Sequence, residues 1–527
     1  MKRFSLVLVF LLMAQVGFCR AIKSDAVKKE SQGPMSQGDA FLKNKEYEKA
    51  IAQFEQILQA DPNNVAAIDH LRNIYLTLGQ AQEAIPYFEK SLELNPKDAQ
   101  LYAQLGSLLG ALGRNNDALR NLQKAIKLDA RNESAYVDLG AIYINLHKPQ
   151  QAIVYLKKAI EVNPQLPLAY SNLAMVYANL KQYDEAILYF TKVAEMDPKI
   201  ISTYLNLGNI YAALRDDVKA QSYFKKAIAL EPNNLPAMMN LVSFYYHQKR
   251  FDEAIDYLKK AITLNPEDSS LYADLANIYG SLGKNQEVIA YSKKALEVDR
   301  DNVLANANLG AVYNNLGQYK DAVTYLQKAI ETDAKNPLFY ADLARSYHAL
   351  GQNEEAMTHA QKAIELDGNN PLANLILGLS YKNLARYKDA IPYLKKAIEL
   401  GPKDDVSLYS DLGLSLGFAG QAQEAVEYLL KAIAFDPKSQ TVYVNLAAAY
   451  IDLKKYREAL TYLEKAKQVN PDEVVIYKNF GVAYRELGDR EKAKNNFMKA
   501  KELYAKMNNE AGVKMIEQFL GNLLPSE

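Results

Sequence analysis

Asparagine and aspartate residues recur in the sequence at a fixed interval, and their side chains could bind a peptide backbone. Seven follow one another at steps of 34 residues, and three more continue the row after a copy that lacks such a residue. This Asn/Asp row comprises Asp138, Asn172, Asn206, Asn240, Asp274, Asn308, Asp342, Asp411, Asn445 and Asn479. An amide donates a hydrogen bond to a carbonyl and accepts one from an N–H. A regular row of amides can therefore hold an extended chain without reading its side chains.

Other kinds of site have little support in the sequence. The chain has five histidines, one cysteine (Cys19) and no tryptophan, so neither an internal disulfide nor a cysteine zinc site can form. His348 and His359 are eleven residues apart, a spacing that does not place two imidazoles on one helical turn as H-E-x-x-H does. No phosphate-binding G-x-x-x-x-G-K-[ST] segment occurs. We predict no catalytic residue, no metal and no cofactor, and hence a protein that is not an enzyme.

The charge balance bears on the class of partner. The chain has 62 basic and 62 acidic residues, and loss of a leader containing Lys2, Arg3 and Arg20 would leave a slight acidic excess. Proteins that bind nucleic acid normally carry a basic excess, which displaces counterions from phosphates. We therefore predict no nucleic-acid partner.

Residues 1–21 have the features of a secretory signal peptide. Lys2 and Arg3 precede an apolar run over residues 4–14, which covers about half of a ~30 Å hydrocarbon core. Small residues permit cleavage after Cys19 or Ala21. The sequence therefore predicts export to the periplasm or the cell surface of a bacterium. One alternative is a lipoprotein acylated at Cys19, the only case in which membrane contact is expected; another is a buried N-terminal helix.

The interval of 34 residues extends through most of the chain. An acidic or amide residue followed by proline ends successive units, as at Pro62, Pro96 and Pro164. With this proline at position 32, copies begin at residues 31, 65, 99 and so on to 474, with one inserted residue between Pro402 and Pro437. Fourteen copies then span residues 31–507, after a polar lead-in over residues 22–30 and before a tail over residues 508–527.

Apolar residues within each copy form two helical stripes. They recur at positions 4, 7, 8 and 11 and again at 20, 21, 24, 27 and 28, the period of two amphipathic helices. Position 8 is small, as in Gly140, Gly208 and Gly310, so the two helices of a hairpin can approach closely. Larger residues at positions 4, 11 and 24 are expected to fill the space between hairpins. Because one hairpin cannot bury its own apolar face, the copies must stack, and the predicted fold class is all-α.

This pattern resembles the tetratricopeptide repeat family over about nine tenths of the chain. The family's usual tryptophan at position 4 is tyrosine in nine copies, such as Tyr136 and Tyr204. The resemblance implies a right-handed superhelical solenoid of about fourteen helix-turn-helix repeats, whose first helices line a concave groove with position 6 facing inward. The Asn/Asp row occupies position 6, similar to the asparagine ladder with which O-linked N-acetylglucosamine transferases hold an extended peptide. The alternative is that asparagine is simply common at this position of the family.

Lysine pairs at positions 25 and 26, such as Lys157 and Lys158, suggest a basic stripe on the second helices. Glu161 follows Lys157 by four residues, a spacing that predicts a weak ion pair. We interpret the stripe as a solvated convex face.

The tail carries an apolar helical face. Its members are Val513, Ile516, Phe519, Leu520, Leu523 and Leu524. We predict a capping helix within residues 508–527 that covers the last hairpin; a helix that docks on a membrane or a partner is the alternative.

Together these features predict an exported, non-enzymatic scaffold that binds protein or peptide segments in its groove. One alternative is an envelope assembly or secretion factor, which a lipid on Cys19 could anchor. Another is a targeting arm for a glycosyltransferase encoded on a separate chain. A copurifying catalytic partner would favour the glycosyltransferase interpretation, and acylation of Cys19 would favour the assembly factor.

Overall fold

The computed structural model describes residues 33–523, which form α-helices and, within that range, no β-strand. The helices are α1 (Pro34–Lys43), α2 (Tyr47–Ala60), α3 (Val65–Thr77), α4 (Ala81–Leu94), α5 (Ala99–Ala111), α6 (Asn115–Leu128), α7 (Glu133–Asn145), α8 (Pro149–Val162), α9 (Pro167–Asn179), α10 (Tyr183–Met196), α11 (Ile201–Ala213), α12 (Asp217–Leu230), α13 (Leu235–His247), α14 (Phe251–Leu264), α15 (Ser269–Ser281), α16 (Asn285–Val298), α17 (Val303–Asn315), α18 (Tyr319–Thr332), α19 (Pro337–Ala349), α20 (Asn353–Leu366), α21 (Pro371–Asn383), α22 (Tyr387–Leu400), α23 (Val406–Phe418), α24 (Ala422–Phe435), α25 (Gln440–Asp452), α26 (Tyr456–Val469), α27 (Val474–Glu486), α28 (Arg490–Lys506) and α29 (Glu510–Gly521). The predicted all-helical fold is confirmed. The expected signal peptide with Cys19, the lead-in and Leu524 lie outside the described residues. No helix in the described range is long and apolar enough to cross a membrane.

The described residues form two compact units, which divide between Tyr257 and Leu258. In the first unit, helices α1 to α12 pack as consecutive pairs, and in the second unit α15 to α28 do the same. Apart from α14, each even-numbered helix also packs on the odd-numbered helix that follows it in the same unit. Consecutive hairpins therefore stack within each unit, as the apolar stripes of the sequence predict.

The turn within each helix pair is set by one residue in the left-handed conformation. At position 15, φ lies between 54° and 82° in all fourteen copies, of which seven have glycine there. The N–H of Gly79 donates to the Leu76 carbonyl (3.1 Å) and that of Gln80 to the Tyr75 carbonyl (2.8 Å), the bonds of a Schellman motif. Lys181, with φ of 58°, turns in the same way. The bonding pattern fixes the turn even where no glycine is available.

The two helices of a hairpin approach most closely at positions 8 and 24. A Cβ added to Gly140 in α7 would lie 2.5 Å from the Cγ of Leu156 in α8, and one added to Gly208 would lie 2.5 Å from Cε1 of Phe224. The expectation that position 24 fills the space between hairpins is therefore incomplete. Its side chain first occupies the space that the small residue at position 8 leaves within its own hairpin.

Aromatic rings at positions 11 and 23 stack on each other in ten hairpins, with centroids 5.3–6.0 Å apart. The pairs are Tyr75–Tyr87, Tyr143–Tyr155, Tyr177–Tyr189, Tyr211–Tyr223, Tyr245–Tyr257, Tyr279–Tyr291, Tyr313–Tyr325, Tyr347–His359, Tyr381–Tyr393 and Tyr450–Tyr462. His359 thus takes the place of a tyrosine, and burial lowers the pKa of its imidazole. Its role is one of packing.

The tyrosine at position 4 ties the first helix to the loop before it. Its hydroxyl donates to the carbonyl six residues earlier, at 2.6–3.3 Å, in Tyr204, Tyr340, Tyr443 and Tyr477. In three of these copies the acceptor is the proline at position 32. In these four copies the tyrosine hydroxyl, which a tryptophan would lack, fixes the turn between hairpins.

Helix α29 packs on the last hairpin. Ile516 is fully buried, Phe519 stacks on Phe497 with centroids 5.3 Å apart, and Lys501 forms an ion pair with Glu517 at 2.7 Å. The apolar face of the tail, as far as it is described, thus turns toward α28.

Two glycines in α23 provide a matched test of the close approach. A Cβ at Gly413 would lie 2.5 Å from the Cγ of Leu429, whereas a Cβ at Gly417 would meet nothing within 4 Å. We expect Gly413→Ala to lower the free energy of unfolding by about 1–3 kcal/mol through overpacking. Gly417→Ala should raise it by roughly 0.5–1 kcal/mol, because alanine favours the helix. Denaturant titration followed by circular dichroism measures both, and equal effects would contradict the close approach.

Removing one hydroxyl tests the role of position 4. Tyr443→Phe takes away the donor to the Pro437 carbonyl, which lies 2.6 Å from the hydroxyl, so we expect a loss of about 0.5–1.5 kcal/mol in unfolding free energy. Tyr102→Phe is the control: Tyr102 is also buried, at 8% exposure, and its hydroxyl forms no hydrogen bond within residues 33–523. A loss of the same size in both variants would contradict this role.

Candidate peptide-binding surface

The Asn/Asp row lies in the middle of the first helices of the hairpins. Its members occupy α7, α9, α11, α13, α15, α17, α19, α23, α25 and α27. The residue that follows each member is buried in the hairpin core, for example Leu173 and Leu207. The row itself is half-buried, apart from Asn479, which is 7% exposed. The row therefore borders the core on the side where successive first helices meet.

Two amides of the row join neighbouring first helices. Asn308 Nδ2 donates to the carbonyl of Ala273 at 3.0 Å, linking α17 to α15. Asn445 Nδ2 donates to Ser410 Oγ at 3.2 Å, linking α25 to α23. Part of the bonding capacity of these amides is therefore used to hold hairpins together.

Two aspartates of the row make similar links. Asp138 accepts a hydrogen bond from Ser107 Oγ at 2.6 Å, and Asp411 forms an ion pair with Lys382 Nζ at 2.8 Å. Burial raises the pKa of Asp138, and the bond from Ser107 partly offsets that rise. These carboxylates contact neighbouring helices rather than solvent alone.

The carboxyl group of Asp274 has a strongly raised pKa. Burial, with a further contribution from the charge of Asp268, raises the pKa of Asp274 to about 6. Within the described range its side chain forms no hydrogen bond or ion pair that would favour the ionised form. Its ionisation at neutral pH therefore costs stability.

Asn172, Asn206 and Asn240 differ from the bonded amides. They lie on three successive first helices, α9, α11 and α13, and their side chains form no hydrogen bond with another residue of the described chain. Each is half-buried. Three neighbouring amides thus keep their full capacity to bind a ligand.

The helices that carry these three amides are almost free of charge. Helices α9 and α11 contain no aspartate, glutamate, lysine or arginine, and α13 contains only His247 among its titratable side chains apart from tyrosine. Among the other first helices, α5 and α17 also lack such residues, whereas α7, α15, α19 and α21 each carry at least one. The stretch with the open amides offers hydrogen bonds and apolar contact rather than charge.

A small hollow of about 70 Å³, partly open to solvent, lies between α9 and α11. The side chains that line it are Met175, Ala178, Tyr183, Phe190, Asn206, Asn209, Ile210 and Ala213. Phe190, from α10, is fully buried beneath the others. Asn206, a member of the Asn/Asp row, thus borders this hollow.

Polar residues that the sequence analysis missed bridge α17 and α19. Ser346 Oγ donates to Asn314 Oδ1 at 2.7 Å, and Asn314 Nδ2 donates to the carbonyl of Asp342 at 3.0 Å. Arg345 forms an ion pair with Asp342 at 3.0 Å. The row member in α19 is therefore part of a bonded network.

A signal for this network was present in the sequence. Position 10 is serine in three successive copies, Ser346, Ser380 and Ser415, all fully buried, whereas earlier copies have apolar residues such as Ile142 and Val176 there. A buried hydroxyl needs a hydrogen-bond partner, so the change of residue type indicates polar contacts between helices.

The predicted pairing of Lys157 with Glu161 is wrong. Glu161 instead pairs with Lys158 at 2.6 Å, and Lys157 Nζ lies 5.9 Å from the ring centroid of Tyr177. Lys157 extends toward the Tyr177 ring on the next helix, and Glu161 therefore pairs with Lys158.

Comparison with family models identifies the repeat. Two tetratricopeptide repeat models match, one over residues 439–506 and the other over 41–109 and 316–379. The model of the cilia and flagella-associated protein 70 C-terminal domain matches residues 111–336, and that of anaphase-promoting complex, cyclosome, subunit 3 matches 383–466. The chain belongs to the tetratricopeptide repeat family. The resemblance found in the sequence is confirmed.

Solved structures also resemble this tetratricopeptide chain. A chain of the APC/C hetero-tetramer Cut9–Hcn1 is 16% identical with a TM-score of 0.37, covering 88% of this chain and 96% of that one. Two crystal structures of MamA are 31% and 30% identical, with TM-scores of 0.29 and 0.30, and cover 31% and 32% of this chain and 95% and 92% of their own. No curated protein matches the chain significantly. Tetratricopeptide repeats generally bind proteins or peptides.

The raised pKa of Asp274 predicts a pH dependence of stability. The folded state binds this proton more tightly than the unfolded state, whose carboxyl titrates near 3.8. The stabilisation is complete below pH 3.8 and is lost as the pH rises through about 6. We expect Asp274→Asn to be more stable than wild type at pH 7 by up to about 3 kcal/mol, and nearly equal to it at pH 4.

Denaturant unfolding at several values between pH 4 and pH 7 measures this difference. The control is Asp301→Asn at an exposed position, which should leave the pH dependence unchanged. A constant difference between wild type and Asp274→Asn across the range would contradict the assignment.

Proposed function

We propose that the protein is a non-enzymatic scaffold that holds an extended protein segment against α9, α11 and α13. The observation that carries the proposal is the set of three open amides, Asn172, Asn206 and Asn240, on three successive first helices that contain no aspartate, glutamate, lysine or arginine. The proposed action is equilibrium binding. Four other members of the row, Asp138, Asn308, Asp411 and Asn445, are proposed to act mainly in joining the hairpins.

The spacing of the amides suits an extended ligand. Directly packed helices lie about 8–10 Å apart, and α9 and α11 flank the hollow, so the amides on these two helices are at least that far apart. An extended chain rises about 3.1–3.3 Å per residue, so the step from one amide to the next spans at least about three ligand residues. A polyproline II conformation has three residues per turn and would present the same side of its backbone to each amide, over a ligand of at least about seven residues.

Export of the protein is also part of the proposal. It is supported by the basic residues and short apolar run of residues 1–21. The same segment leaves open the acylation of Cys19, which would attach the scaffold to a membrane.

The mature N-terminus tests export. We expect protein purified from the producing cells to begin at Arg20 or Ile22, as measured by intact mass and N-terminal sequencing, and to be found outside the cytoplasm. A Cys19 terminus with the added mass of acyl chains would indicate the lipoprotein. Met1 retained on cytoplasmic protein would contradict export.

The open amides are tested on a defined ligand. A photoreactive residue at position 240, followed by mass spectrometry of crosslinked envelope extracts, identifies a bound segment, which is then synthesised as a peptide. If each amide contributes about 0.5–1.5 kcal/mol, the triple variant Asn172→Ala, Asn206→Ala, Asn240→Ala should bind the peptide roughly 10- to 1,000-fold more weakly. Its fold should persist, because no hydrogen bond within the described protein is lost.

Two controls separate binding from folding. Alanine at the exposed Lys157, Lys225 and Lys259 should leave the peptide affinity nearly unchanged. Asn308→Ala should also leave the affinity unchanged but lower stability, since it removes the bond to the Ala273 carbonyl. Equal affinity of the triple variant and wild type would show that asparagine at position 6 is only a feature of the family's sequences.

A further inference from the structure

The hollow between α9 and α11 indicates which kind of segment the surface prefers. We propose that the extended segment held by the open amides inserts one apolar side chain into this hollow. The side chain has the size of leucine, isoleucine or methionine. The inference rests on the proposed function, because it assumes a peptide held by the open amides. It adds a preference for one apolar residue and for uncharged neighbours to a surface whose amides would otherwise contact only the ligand's backbone.

The lining of the hollow supports an apolar anchor. Met175, Ala178, Ile210 and Ala213 line it, and the fully buried Phe190 lies beneath them. Water finds no hydrogen-bond partner on these side chains, and an apolar group that replaces it there is favoured. A charged group placed there would lose its hydration without gaining an opposite charge.

The amides that border the hollow fit the backbone on either side of the anchor. Asn206 and Asn209 are three residues apart on α11, so their side chains lie about 5–6 Å from each other. That distance corresponds to one or two residues of extended chain. Neither side chain is hydrogen-bonded to the rest of the described protein. Both can therefore bind peptide groups that flank an inserted side chain.

The charge around the hollow limits the residues next to the anchor. Helices α9 and α11 carry no acidic or basic residue, so flanking charges on the ligand would find no opposite charge on these helices. The geometry thus points to an extended, locally uncharged segment with one apolar anchor.

The probe is a phage library of random dodecapeptides selected on the purified full chain, with affinities of synthetic peptides then measured by fluorescence anisotropy. We expect selected peptides to share an apolar residue at one position and to lack charge beside it. Alanine in place of the anchor should weaken binding roughly 10- to 100-fold. Failure to select any peptide, or selection of charged peptides, would overturn the proposal.

A substitution that fills the hollow locates the anchor. Ala213 is exposed, so Ala213→Phe should fold normally while its ring occupies the space. We expect this variant to bind the anchored peptide at least about tenfold more weakly and to bind the alanine-substituted peptide as wild type does. The matched control is Ala229→Phe, at an exposed position of α12, which should leave both affinities unchanged.

The two proposals fail in different ways. If the triple amide variant loses affinity for the selected peptides but Ala213→Phe does not, the anchor is wrong and the scaffold function stands. If neither variant changes the affinity, both proposals are wrong. Binding of a neutral oligosaccharide in place of peptide, with loss on Ala213→Phe, would also overturn the peptide anchor.

Discussion

The close approach of the two helices of a hairpin at positions 8 and 24 is the constraint on which the rest of the structure depends. All eight glycines at position 8 face a leucine or phenylalanine at position 24, as Gly208 faces Phe224. Where position 24 shrinks to Ala360, position 8 is Ala344, and both are fully buried. In this copy the larger residue at position 8 replaces part of the volume missing at position 24, as close packing requires. The eight glycine copies share one close approach of the two helices, on which the next hairpin can stack.

A constant hairpin also needs constant turns, and the chain sets these with bonds that repeat in register. The left-handed residue at position 15 closes each hairpin, and the tyrosine hydroxyl at position 4 ties several first helices to the preceding loop. The inserted residue is tolerated because it falls in the loop between α22 and α23. There Lys403 Nζ donates to the Ile398 carbonyl at 2.7 Å, so the end of α22 keeps a partner for its carbonyls.

Much of this architecture could be predicted from the sequence, because helix period, glycine and proline are local signals that repeat fourteen times. The contacts that each member of the Asn/Asp row makes could not be predicted in this way. Whether Asp411 stays open depends on Lys382, and these residues meet only because two hairpins stack. The same limit explains the error for Lys157, whose neighbour Tyr177 belongs to the following helix. Spacing along one helix predicts which residues share a face, whereas contacts between hairpins depend on the residue types that face each other.

One comparison shows why the open amides lie where they do. Asn445 follows Ser410 by 35 residues and donates to its hydroxyl, and Asn206 follows Ser171 by the same interval without forming that bond. The sequence relation is identical, so the difference must come from the separation of the helices. Between α9 and α11 the hollow takes the place of a contact. The hydrogen bond between hairpins is absent at this point. The side chain of Asn206 is therefore left half-buried without a partner in the described protein, and its amide has the capacity to bind another chain.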